Sequence, residues 1–187
     1  MTAQRTLVVF SHGKESGPWG SKIRQLADVA QSHGAACISV DYQVNGLLAP
    51  DARVRRLLDT VLPAHEKLVL VGSSMGGYVS TVASRTLRPD GLFLLAPAFG
   101  LQDYPEPFPV PCAGQISIVH GWRDHVVPCE NSIHFARTHA ASLHLIDGDH
   151  RLNDALPSVL ALFDRFMLNI EQSPSSSPAV HLDSPAP

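Results

Sequence analysis

The stretch Gly72-Ser73-Ser74-Met75-Gly76 constrains the fold more than any other part of this 187-residue chain. It reads G-x-S-x-G. It joins a short β-branched apolar run, Lys67-Leu68-Val69-Leu70-Val71, to a run over 78–87 that lacks Pro and Gly. The first run suits a buried strand and the second a helix. A serine on so sharp a strand-to-helix turn is pushed out of the sheet with its hydroxyl exposed. Glycines flank it because neighbouring backbone crowds the turn. Only Ser74 fits the spacing, since Ser73 would need glycines at 71 and 75, which hold Val71 and Met75. At ordinary Gly and Ser frequencies the pattern arises by chance in roughly one chain in ten of this length. Its strand-and-helix setting weakens that explanation without removing it. The rest of the chain must then supply an acid, a histidine and an oxyanion site in the right order.

Strand-like and helix-like runs alternate on both sides of this turn. Strands are predicted at 6–11, 36–40, 67–71, 91–96, 115–120 and 143–146. A helix is predicted over 21–33, with Ile23, Leu26, Ala27 and Ala30 on one face and Gly34 as a stop. A second covers 51–62, with Val54, Leu57, Leu58 and Val61 inward and Asp51 as N-cap after Pro50. Others start at Met75, span 129–138, and span 153–168 with Leu156, Val159, Leu160, Phe163 and Phe166 inward. Such alternation builds βαβ units, hence an α/β fold with a mostly parallel sheet covered on both faces. Residues 97–114 differ: Pro97, Pro105, Pro107, Pro109 and Pro111 stand among Phe99, Tyr104 and Phe108. Prolines at that density continue neither a helix nor a central strand, so a rigid aromatic loop is expected. One domain is expected over 1–171, followed by a disordered Ser/Pro-rich tail over 172–187.

Bulk properties remove several function classes. The formal net charge is -3 and there is no basic tract, so no nucleic-acid partner is expected. No apolar run reaches the ~18 residues of a membrane span, and the N-terminus carries no signal-peptide pattern. Cys37, Cys112 and Cys129 form no pairing pattern, which suggests a reducing cytoplasm. The ten histidines are scattered, without H-E-x-x-H, H-x-H or a C-x-x-C, so neither a metal nor a cofactor is expected. Oligomeric state is left open.

In an open α/β sheet, ligands bind at the carboxyl ends of the strands. The predicted fifth strand ends in His120-Gly121-Trp122-Arg123-Asp124-His125-Val126-Val127-Pro128, which places Asp124 on a strand-end loop. The sixth ends in Asp147-Gly148-Asp149-His150-Arg151-Leu152, which places His150 on another. Asp124 is favoured over Asp147 and Asp149 because it has its own loop. Asp149 adjoins His150, and neighbouring residues rarely aim their side chains at each other. Ser74, Asp124 and His150 together supply what acyl transfer by serine needs: a nucleophile, a base and an acid that fixes the base's tautomer.

With these motifs in hand, the chain resembles the α/β-hydrolase superfamily, and within it the compact bacterial esterase-like proteins with little or no cap. The resemblance covers about residues 5–168. It rests on Ser11-His12-Gly13, on Gly72 through Gly77 (GSSMGG), on His120 through Pro128 (HGWRDHVVP) and on Gly148 through Leu152 (GDHRL). It implies Ser74 as nucleophile, His150 as general base and then acid, and Asp124 as the orienting carboxylate. It also implies oxyanion donors at the backbone N–H groups of Met75 and Lys14. The His-Gly loop arrives only 12 residues from the N-terminus. The family's two N-terminal edge strands are therefore missing, leaving six strands in the expected order 2-1-3-4-5-6. Only the Pro-rich loop remains as a cap, which implies an open, shallow site. His12 and Gly13 are expected to shape the oxyanion loop, and His120 and His125 to form structural hydrogen bonds. Tyr104, Phe108 and Trp122 are the candidate substrate contacts; each of these, like Phe99 and Trp19, either walls an acyl pocket or packs the core. The activity implied is hydrolysis of accessible carboxylic esters. Thioesterase and peptidase action share the machinery, and a non-catalytic binding scaffold is the alternative of a different class.

Overall fold

The computed structural model of the chain describes residues 4–46 and 49–173. Among the described residues twelve elements follow one another, six of them strands: β1 (Gln4–Ser11), β2 (Ala36–Val40), β3 (His65–Ser73), β4 (Gly91–Leu95), β5 (Gln115–Gly121) and β6 (Ser142–Ile146). Five α-helices connect or close them: α1 (Ser21–Ser32), α2 (Pro50–Leu58), α3 (Met75–Leu87), α4 (Cys129–His139) and α5 (Leu156–Gln172). A short 3₁₀ turn covers Val44–Gly46. The strands form one sheet in the order β2-β1-β3-β4-β5-β6, and every neighbouring pair is parallel. The expected order is the observed one.

Successive side chains of a strand point to opposite faces, and here both faces are covered. On β1, Leu7 and Val9 join a core with Leu57 of α2, Tyr78 and Val79 of α3 and Phe135 of α4. Val8 and Phe10 join a second core with Ile23, Leu26 and Ala30 of α1 and Val159, Phe163 and Phe166 of α5. Three layers result, with α2, α3 and α4 on one face and α1 and α5 on the other. Parallel strands run their carboxyl ends to a common edge, so the turns after β1, β3, β5 and β6 converge there.

Two predicted helices change their limits at both ends. α2 begins at Pro50 and stops at Leu58, one turn short of the expected end, and Val61 is 91% exposed. The Thr60 hydroxyl donates to the Arg56 carbonyl at 2.8 Å, competing with the helix. Pro63 then disfavours helical backbone at Leu62. Asp51 lies inside the first turn, not at the N-cap, and pairs with Arg55 at 3.0 Å. α5 begins at Leu156 and runs to Gln172, past the expected Leu168. At its carboxyl end the buried Lys67 Nζ donates to the carbonyls of Ile170 (2.5 Å), Glu171 (3.0 Å) and Ser173 (2.6 Å). A lysine at the last turn satisfies carbonyls the helix leaves open and opposes their negative dipole end. The tail expectation, beyond Ser173, falls outside the described residues.

The Pro-rich segment between β4 and β5 is tied to two helices. From α3, Arg85 Nε donates to the Val110 carbonyl at 2.9 Å and its guanidinium pairs with Glu106 at 2.5 Å. The Ser84 hydroxyl accepts the Cys112 N–H at 2.9 Å. From α4, Asn131 Nδ2 donates to the Phe99 carbonyl at 2.8 Å. Tyr104 packs edge-on against Tyr78, and Phe108 against His134.

Candidate active site

The turn after β3 brings Ser74 to the converging strand ends. Ser74 sits at φ 55, ψ -120, a strained conformation for a residue with a Cβ. The surroundings hold it there. Its N–H donates to the Leu95 carbonyl at 2.9 Å, and its carbonyl accepts the N–H groups of Gly77 (2.9 Å) and Ala98 (3.0 Å). Gly76 allows the close approach to β1 that this turn needs: a Cβ there would lie 1.9 Å from the Ser11 carbonyl oxygen. Ser74 itself is half-buried.

The loops after β5 and β6 supply the partners. Gly121 lets them meet, since a Cβ there would lie 2.2 Å from the Gly148 carbonyl oxygen. His150 Nε2 stands 2.9 Å from Ser74 Oγ and His150 Nδ1 stands 2.7 Å from Asp124 Oδ2. A carboxylate accepts only, so Nδ1 carries the proton and Nε2 presents its lone pair to the serine hydroxyl. Asp124 is buried and fully engaged. Oδ1 accepts the N–H groups of Val126 and Val127, both at 2.8 Å. Oδ2 is shared between His150 Nδ1 and His120 Nε2 (2.9 Å). Burial alone would raise the Asp124 pKa; the hydrogen bonds from His120, His150, Val127 and Val126 outweigh it and hold the carboxyl well below the usual carboxylate range. Asp147 and Asp149 are elsewhere: Asp147 pairs with Arg123 at 2.7 Å on the surface, and Asp149 Oδ1 accepts the N–H groups of Arg151 and Leu152.

The loop after β1, expected from the sequence to carry an oxyanion donor, lies next to Ser74. A Cβ on Gly13 would stand 3.6 Å from Ser74 Cβ, so this loop runs beside the serine. Met75 is the first residue of α3, where the helix offers its N–H no carbonyl. Lys14 is exposed on the loop. Behind the loop lies a buried polar cluster. His12 Nδ1 donates to the Gly13 carbonyl at 2.7 Å, and His12 Nε2 accepts the Tyr42 N–H at 3.3 Å. Burial lowers the His12 pKa, which favours this neutral form. Arg53 of α2, also buried, donates to the carbonyls of His12 (3.1 Å) and Gly13 (3.3 Å) and lies 5.0 Å above the Tyr42 ring. Sequence reasoning missed Arg53, which stands in the charged run Arg53-Val54-Arg55-Arg56. Its spacing of four from the fully buried Leu57 was the available signal.

The candidate substrate contacts separate. Trp122, two residues before Asp124, is 57% exposed at the rim, with Val126 nearby in the same loop also exposed. Tyr104 is buried against Tyr78, and Phe108 borders His134 at the surface. Phe99 is buried and stacked on Phe135, while Trp19 is exposed. Cavities of about 170 and 160 Å³ lie at the opposite, amino end of the sheet, one lined by Thr6, His33 and Lys67, the other by Ser117, Ser142 and Arg165. Neither adjoins Ser74. Among the described residues no group of three or more His, Cys, Asp or Glu is placed to hold a metal ion, and no helix is long and apolar enough to cross a membrane.

A family model described as the alpha/beta hydrolase family matches residues 8–181. The chain belongs to the alpha/beta hydrolase family. Among solved structures, this alpha/beta hydrolase is similar to a putative hydrolase of the alpha/beta superfamily from Xanthomonas campestris, at 29% identity and TM-score 0.77, with 88% of this chain and 99% of that one covered. It shares its fold with Est1E from Butyrivibrio proteoclasticus bound to ferulic acid, at 19% identity and TM-score 0.75, with 92% of each chain covered. The fold is also that of a Xanthomonas campestris α/β serine hydrolase without lid, at 19% identity and TM-score 0.61, with 90% of this chain and 83% of that one covered. No curated protein sequence matches this alpha/beta hydrolase.

Proposed function

We propose that this alpha/beta hydrolase is a serine carboxylesterase acting on small or accessible esters. One observation carries the reading: His150 joins Ser74 Oγ at 2.9 Å to Asp124 Oδ2 at 2.7 Å through its two ring nitrogens. Ser74 Oγ attacks the ester carbonyl carbon while His150 Nε2 takes the hydroxyl proton. Asp124 stays ionised, fixes the Nδ1–H tautomer and stabilises the imidazolium. The carbonyl oxygen becomes an oxyanion facing the N–H groups of Met75 and Lys14, each typically worth about 10²- to 10³-fold in rate. His150 then gives its proton to the departing alkoxide, leaving an acyl group on Ser74. Water attacks that acyl group as His150 takes the water's proton. Collapse releases the acid and returns the proton to Ser74.

The short segment over 97–114 supports an accessible site, with the exposed Trp122, two residues before Asp124, offering a ring to the acyl or alcohol part. A fluorophosphonate probe tests the mechanism, with p-nitrophenyl esters of increasing acyl length and a ferulate ester testing the substrate. Labelling and turnover that disappear in Ser74→Ala support the proposal. A folded parent protein that neither labels nor turns over any ester indicates a binding scaffold instead.

A further inference from the structure

His120 is completely buried at the end of β5, and its ring is held at both nitrogens. Nε2 faces two atoms that only accept, Asp124 Oδ2 at 2.9 Å and the Val127 carbonyl at 3.0 Å. Nε2 must therefore carry a hydrogen. Nδ1 stands 2.7 Å from Ser132 Oγ on α4, and Ser132 is also fully buried. The sequence pattern accounts for a histidine only as a neighbour of the acid loop. The geometry gives it a direct hold on the oxygen that His150 uses.

We propose that His120, anchored through Ser132 on α4, is a positioning residue that fixes Asp124 Oδ2 against His150. The inference rests on reading Ser74, His150 and Asp124 as the reacting machinery. The two backbone donors of Val126 and Val127 bond only Oδ1, while Oδ2 bonds the two histidines, His150 and His120. His120 supplies the second hold. It also takes a share of the charge on Oδ2, so less of that charge reaches His150. Among the other ionisable groups near Asp124, Cys129, whose thiol burial and Glu130 push up, and the exposed Glu130 start α4, and His125, next to Asp124 on the loop, is exposed. Arg123 is engaged with Asp147 on the surface. His120 is thus the neighbour able to tune this carboxylate.

The test compares His120→Phe, His120→Gln and Ser132→Ala in otherwise intact protein. Phe keeps the volume and removes the Nε2 donor, while Gln can place an amide N–H where Nε2 was. His120→Phe is expected to lower kcat/KM by on the order of 10- to 10²-fold, mostly through kcat. With more charge left on Oδ2 for His150, the acid limb of the kcat/KM profile should move to higher pH. His120→Gln should restore both, and Ser132→Ala should move both slightly in the direction of Phe. Proton NMR of the His150 Nδ1–H reads the same bond without turnover, so it separates this inference from the proposed activity. That signal should shift in His120→Phe and return in His120→Gln. An unmoved acid limb and an unmoved Nδ1–H signal in His120→Phe would overturn the proposal. If His120→Phe does not fold, a His120→Gln that behaves unlike the parent, or a Ser132→Ala that leaves both readouts untouched, overturns it equally.

Discussion

On the proposed mechanism, replacing Asp124 by Asn changes one heavy atom and should disable His150 as the base. The side-chain oxygen of Asn must take the place of Oδ1, because the N–H groups of Val126 and Val127 are fixed by the loop at 2.8 Å. The amide NH₂ then takes the place of Oδ2 and faces two former donors, His150 Nδ1 and His120 Nε2. His120 retains the Val127 carbonyl at 3.0 Å as an acceptor. His150 is relieved by moving its proton to Nε2, where it points at Ser74 Oγ and can no longer accept. Forcing the proton back to Nδ1 against an NH₂ leaves buried donors unmet, at about 1–3 kcal/mol. The imidazolium formed in the transition state also loses its carboxylate. That loss is worth about 4 kcal/mol for charges about 4 Å apart at an effective dielectric near 20. Together these give about 5–7 kcal/mol, roughly 10⁴- to 10⁵-fold in kcat. The assay is p-nitrophenyl acetate hydrolysis with kcat and KM separated, alongside a thermal melt. KM should change by less than about threefold, since Asp124 is not a substrate contact. An Asp124→Asn protein that melts like the parent and keeps kcat within tenfold refutes the reasoning.

Gly76→Ala should lower the melting temperature by about 6–12 °C, because its Cβ meets the Ser11 backbone at 1.9 Å and the clash costs about 3 kcal/mol; fluorophosphonate labelling should fall with it. Lys67→Met should cost about 1–3 kcal/mol in urea unfolding, since the three carbonyls ending α5 lose their donor, while kcat/KM stays within twofold because Lys67 lies at the far end of β3. His33 joins α1 to Asp164 (2.8 Å) and Glu171 (3.0 Å) of α5. Burial lowers its pKa, but those two carboxylates outweigh it and the net shift is upward. A raised folded pKa means stability present below the ordinary histidine value of about 6.5 and lost as pH rises through the folded one. His33→Gln should therefore lower the melting temperature more at pH 5.5 than at pH 8, as read by melts across that range.

The sheet was legible because each βαβ unit leaves a plain trace: a short β-branched run, then an apolar stripe at helical spacing. The meeting of Ser74, Asp124 and His150 side chains was legible for the same reason, since a strand end predicts where a side chain goes. Helix limits were less so. The sequence shows Val61 as apolar at the right phase, but the helix has ended at Leu58 because the Thr60 hydroxyl competes for a helix carbonyl and Pro63 follows. Buried charge was hardest to read. Arg53 and Lys67 look like solvated cations in a one-dimensional pattern, yet each is buried to collect carbonyls from segments far away in the chain, 40 and 41 residues for Arg53 and 103 to 106 for Lys67. Local periodicity carries no information about such partners.

On the proposed esterase reading, the ties on the segment over 97–114 bear on how this protein would meet an ester dispersed as droplets. A flap that swings aside at an oil–water boundary needs a hinge and freedom to leave its bed. Here Arg85, Ser84 and Asn131 hold the segment by its own carbonyls and N–H groups, and prolines stiffen what lies between. Opening would break several of these bonds at once. The turnover rate should therefore follow the dissolved monomer and pass the solubility limit of a hydrophobic ester without a step.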